Sequence, residues 1–143
     1  MSGIVVGYNG SENAEAALIW AMERAVTEHR ALTILTVNEV AVNPYTGSPS
    51  EVPADNVLLE KARGMAGQTA ERLSRNFSPA PHVVVKALTG LVGEELVLAS
   101  EDADMLVIGS SGQREFPALR VSNVATKIAH YASCPVVLVP PAT

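Results

Sequence analysis

Cysteine is nearly missing from this sequence: Cys134 stands alone among 143 residues. One thiol excludes an internal disulfide, and a reducing compartment fits. Aromatic residues are scarce too, with one Trp, two Phe and three Tyr, so any core must be aliphatic. No apolar run reaches the roughly 20 residues of a membrane span. The opening "MSGIVVG" has no basic segment followed by a long apolar core, so no secretory signal is expected. Basic charge is not in excess either. Ten Lys and Arg face fifteen Asp and Glu, for a formal charge of −5 and a pI near 5.1. That balance argues against nucleic acid held by phosphate neutralisation. A cytoplasmic protein without membrane or nucleic-acid partners is the expectation.

What is present is aliphatic. Hydrophobic residues make up 48% of the chain, mostly Ala, Val and Leu. The length suggests one domain over residues 1–143, able to bury roughly two thirds of its unfolded surface.

Apolar strand-like runs alternate with helix-periodic segments. Ile4–Tyr8 reads as a strand closed by "NGS". Ser11 or Asn9 offers a helix N-cap, and Ala14, Ala17, Leu18, Ala21, Met22 and Ala25 follow at helical spacing. Leu32–Val37 is a second strand. The stretch "NEVAVNPYTGSPSEVPADN" has no clear period. Ala54, Leu58, Ala62, Met65, Ala66 and Leu73 mark one face of a second helix. "HVVVKAL" is a third strand, and Thr89 or Gly90 opens a short helix carrying Leu96 and Ala99. "DMLVIG" is a fourth strand, Val124, Ile128, Ala129 and Ala132 define a last helix, and "CPVVLV" is a last strand. Continuous apolar strands imply burial on both faces. The fold class is therefore α/β: a doubly wound, Rossmann-like open parallel sheet of five strands with helices on both faces.

In such sheets ligands lie beyond the C-terminal strand ends, where the strand order reverses. "YNGS" after the first strand and "GSSGQREFPALRVSN" after the fourth carry glycine where backbone must approach something closely. If these strands are neighbours, main-chain N–H groups around Gly109–Gly112, with the helix start near Asn123, make an anion site suited to a phosphate chain. Ser110 and Ser111 are candidate phosphate contacts, and as loop solvators they would look the same. Neither G-x-x-x-x-G-K-[ST] nor G-x-G-x-x-G is present, and two glycines after a strand are also simply a turn.

The chain resembles the universal stress protein family over nearly its whole length. The likeness is carried by "IVVGYNGSENAEAALIWAMERA", "LTILTVNEV", "DADMLVIGSSG" and "IAHYASCPVVLVP". The family's nucleotide-binding branch has G-x-x-G, nine residues, then G-[ST]. Here Gly109-Ser110-Ser111-Gly112 is followed by Gln113 to Val121 and then Ser122-Asn123. The spacing is kept; the third glycine is not, and the acidic residue of the first turn is Asn9. The resemblance implies that Tyr8, Asn9, Gly10 and Ser11 line an adenine nucleotide such as ATP, with Val37 against the base. Ile108, Gly109, Gly112, Ser122, Asn123 and Val124 would surround ribose and phosphates. It also implies a homodimer through the last strand, with Val136, Val137, Leu138 and Val139 central.

The departures have a cost. A Cβ at Ser122 that displaces the phosphate and breaks one charge-assisted bond would weaken binding by about tenfold or more, although Ser is also a favoured N-cap. Asn9 keeps a donor and an acceptor but lacks the charge that attracts Mg²⁺. The resulting expectation is a regulatory nucleotide, weakly held, with little or no hydrolysis and no catalytic residues. A nucleotide-free family member, its crevice vestigial, is the alternative. An enzyme on a related fold is disfavoured, because "YNGSENAE" has no H-x-G-H-like pair and "YNGS" and "KALTG" lack the acids of a phospho-acceptor. His29, His82 and His130 match no metal spacing, Cys134 has no thiolate base in view, and Glu94 and Glu95 suit the first turn of a helix.

Overall fold

The computed structural model describes residues 3–39, 56–110 and 123–141. Nine elements run in alternation: β1 (Ile4–Gly7), α1 (Glu12–Glu28), β2 (Leu32–Glu39), α2 (Asn56–Ser74), β3 (Val83–Gly90), α3 (Val92–Ser100), β4 (Met105–Gly109), α4 (Asn123–Tyr131) and β5 (Val136–Val139). The five strands form one sheet in the order β3-β2-β1-β4-β5. Every pairing is parallel. The order therefore reverses between β1 and β4, as the α/β reading requires for a crevice.

Alternation along the strands divides the core into two layers. Ile4 and Val6 of β1, Leu32 and Ile34 of β2 and Val107 of β4 pack under α1 and α2. Val5, Leu35, Leu106 and Ile108 face the opposite way, under α3 and α4. All six helical positions expected on α1 are buried, because their spacing is one face of a 3.6-residue period. Leu18 and Met22 are fully enclosed, each contributing about 1.5–3 kcal/mol by removal from water.

Four expectations are corrected. On α2 the buried face is Ala66, Ala70 and Leu73, while Leu58 and Met65 are exposed. Thr89 and Gly90 do not open a helix. They extend β3, paired with Asn38 and Glu39 of β2, and α3 starts after Leu91, whose backbone is extended and whose side chain makes no cap bond. On α4 the buried residues are Ala125 and Ile128, and Ala129 is exposed; one step of 100° turns it off the core face. Finally, burial on both faces holds for the inner strands but not at the edges. On β3, Val84, Lys86 and Leu88 share an exposed face, because α3 lies over β1, β2 and β4. The segment 40–55 lies outside the described residues.

Two buried hydroxyls make opposite predictions. Ser100 is fully enclosed. Its Oγ donates to the Val97 carbonyl and accepts from the Ser133 N–H at 2.9 Å, tying the end of α3 to the approach to β5. Ser100→Ala orphans that N–H and is expected to lower unfolding free energy by about 1–3 kcal/mol in urea. Thr89 Oγ1 is buried without a hydrogen-bond partner, so Thr89→Val should be neutral or stabilising by up to about 1 kcal/mol in the same assay.

Candidate functional site

The crevice begins with the turn after β1. Asn9 Oδ1 accepts the Ser11 N–H at 3.0 Å, and Ser11 Oγ accepts the Ala14 N–H at 3.1 Å as the N-cap of α1. Both residues offered as caps are thus used in sequence, one folding the turn and one starting the helix. Between them Gly10 adopts a φ of +84° with open space around its α-carbon, a left-handed conformation that glycine adopts without strain.

Across the crevice, the end of β4 meets the first turn of α1. A Cβ on Gly109 would lie 2.5 Å from the Asn13 carbonyl oxygen and 2.8 Å from its carbon. The close approach that a glycine was expected to permit is therefore made by the protein's own helix. The Ser110 N–H donates to the Val139 carbonyl at 2.8 Å, and the Tyr8 N–H to Leu35 at 2.9 Å. These two amides are committed internally, so of the N–H groups expected around Gly109–Gly112 that of Ser110 is already bonded within the sheet.

The crevice nevertheless stays open. A cleft of about 490 Å³ is lined by Tyr8, Asn9, Ser11, Val37, Ile108, Gly109, Ser110 and Val124. That volume falls in the range of small-molecule sites, about 300–1,000 Å³. Gly10 belongs to the same turn without lining the cleft, Asn123 is the first residue of α4, and Gly112 and Ser122 lie outside the described residues. The sequence reading missed Gly7, Asn13, Ala14, Leu35, Val92 and Leu96, which also line it. Asn13 and Ala14 were recoverable as the turn that follows "YNGS". Val92 and Leu96 were not, because their place depends on which strands α3 covers.

The lining is apolar on the α3–α4 side and neutral and polar at the rim. Tyr8 is the one ionisable residue among the described lining residues, and its hydroxyl donates to Thr69 Oγ1 at 3.3 Å. Acids already occupy the first turns of two helices: Glu12 and Glu15 on α1, Glu94 and Glu95 on α3. Glu15 pairs with Arg72 at 3.0 Å and Glu94 with Lys127 at 3.4 Å. The first turn of α4, which includes Val124 of the cleft, carries no acid, so no side chain of that turn offsets the positive end of the helix. Elsewhere His29 caps α1 in the left-handed region. Burial first, and the Asp104 charge second, push the Cys134 thiol above its ordinary pKa, so at neutral pH it stays protonated.

The family model described as the universal stress protein family matches residues 1–140. The chain belongs to the universal stress protein family. A universal stress protein of Mycobacterium tuberculosis strain H37Rv, Rv2624c, is 29% identical over 140 residues, covering 95% of this chain and 47% of its own length. The chain spans about half the length of that relative. Among solved structures, a universal stress protein in complex with cAMP superposes with a TM-score of 0.67 at 20% identity, covering 99% of this chain and 98% of that one. The universal stress protein of Archaeoglobus fulgidus in complex with dAMP gives 0.65 at 20%, covering 96% and 97%. At such identity these likenesses establish the shared universal stress protein fold. Among the described residues no helix is long and apolar enough to cross a membrane.

Proposed function

We propose that this universal stress protein binds an adenine nucleotide, ATP or another with the same base, as a regulatory ligand in a cytoplasmic stress response. The observation that carries the reading is the open cleft at the β1/β4 reversal. It combines an apolar slot formed by Val37, Val92, Leu96 and Ile108 with a polar rim of Asn9, Ser11 and Ser110. An adenine ring suits the slot, and the acid-free start of α4 suits a phosphate. Gly10, Gly112, Ser122 and Asn123 enter as the resemblance implies. The relatives solved with cAMP and dAMP support a nucleotide of this kind. No residue is assigned a catalytic role.

A nucleotide-free interaction protein is the second reading. The internally bonded amides of Tyr8, Ser11 and Ser110 favour it. Thermal-shift titration with ATP, ADP and AMP separates the two. A concentration-dependent rise in melting temperature supports binding; no shift with any of them supports the vestigial crevice.

The proposed assembly is a homodimer through β5. This strand pairs only with β4 among the described elements, and its apolar residues are incompletely covered, Leu138 being 41% exposed. An apolar edge of this kind favours pairing with a second chain. Light scattering at micromolar concentration should give twice the chain mass, falling to one mass in Leu138→Asp; a wild-type monomer contradicts the assembly.

A further inference from the structure

We propose that Asn9 makes the cleft selective for a nucleoside monophosphate taken up without a divalent cation, an inference that rests on the nucleotide reading above. The Asn9 side chain has one acceptor and one –NH₂ donor group. Its Oδ1 is committed to the Ser11 N–H at 3.0 Å, which fixes the amide orientation. The –NH₂ is the part left for a guest in a cleft that Asn9 lines. A carboxylate at this position would fold the same turn, since either oxygen accepts the N–H, and would present a charged acceptor where Asn9 presents a donor.

The rest of the lining points the same way. Asn9, Ser11, Asn13 and Ser110 are its neutral polar members, and no carboxylate, imidazole or thiol is among the described residues that line the cleft. Hard divalent cations are held by charged oxygen ligands, and this donor set offers none. A triphosphate brings about four negative charges and ordinarily a Mg²⁺ with them. One phosphate needs no cation, and a neutral donor rim with the acid-free start of α4 is enough to receive it.

The test is isothermal titration of the full chain with AMP and with ATP, each in excess Mg²⁺ and again in EDTA. Wild type should bind AMP with the same affinity, within about twofold, in both conditions, and at least as tightly as ATP. Asn9→Asp should bind AMP about tenfold more weakly in EDTA through loss of a donor and gain of repulsion, with Mg²⁺ restoring part of the loss. Asn9→Ser keeps an oxygen for the turn and removes the –NH₂ without adding charge. It should lose several-fold in affinity with no response to Mg²⁺, and it carries the test if Asn9→Asp does not fold. Wild-type binding that collapses in EDTA, or variants that bind AMP as wild type does, overturns the role of Asn9 while leaving the nucleotide reading intact. Wild type that binds neither nucleotide overturns both.

Discussion

Gly109→Ala is expected to destabilise the fold by about 3 kcal/mol and, if the cleft holds the proposed nucleotide, to abolish its binding as well. The added methyl would meet the Asn13 carbonyl oxygen at 2.5 Å and its carbon at 2.8 Å. Real Cβ contacts are not that short, and the obstacle is helix backbone, which has no rotamer to change. Either the start of α1 or the end of β4 must move. Overpacking costs typically about 1–3 kcal/mol, and a backbone obstacle places this case at the upper end. The site suffers with the fold because both sides of the clash line the cleft. Urea unfolding reports the stability, and calorimetry at a temperature where the variant is folded reports binding. Gly10→Ala is the contrast: its α-carbon faces open space and only its φ of +84° is at issue, so a cost of about 1–2 kcal/mol follows.

Leu96→Ala carries the second large effect. Leu96 is 2% exposed, packs with Val5, Leu35, Ile108 and Ile128, and also lines the cleft. Truncation removes three carbons from a site enclosed on several sides, for an expected loss of about 2–5 kcal/mol. Leu96→Met, which conserves volume, should cost less than about 1.5 kcal/mol. If the slot holds an adenine ring, Leu96→Ala also weakens nucleotide binding in the folded fraction, and Leu96→Met restores it. Equal stability of the two variants in urea would contradict the packing assigned to this residue.

The architecture was legible because the relevant signals are local. The six apolar positions of α1 recur at helical spacing, and the inner strands are mostly aliphatic runs, broken in β2 only by the buried Thr33 and Thr36 before its polar end, which a sheet covered on both faces can bury. Errors arose where tertiary position decides. The exposed face of β3 cannot be read from "VVVKAL", since the same residues at the centre of the sheet would be covered. Leu58 and Met65 fit the period of α2 and are nevertheless exposed. Thr89 stayed a strand residue because the ladder with β2 runs on to Gly90.

The site was half legible for the same reason. Turn residues announce themselves, so Tyr8, Asn9, Ser11 and Gly109 could be named from "YNGS" and "VIGSSG". Val92 and Leu96 look like any apolar helix face until α3 is laid over the β1/β4 crevice. The meaning of Gly109 also changed. A glycine at a strand end suits close approach by phosphate or by protein, and Asn13 makes the difference visible only in three dimensions.

The central claim is that the mouth of the sheet between β1 and β4 receives an adenine nucleotide. Its most direct test is a titration of isotopically labelled protein with AMP, followed by amide chemical shifts. The account predicts saturable shifts concentrated at Asn9, Val37, Gly109 and Val124, with the exposed face of β3 unmoved. Spectra that do not change up to millimolar nucleotide, or that change only away from this cleft, would contradict it.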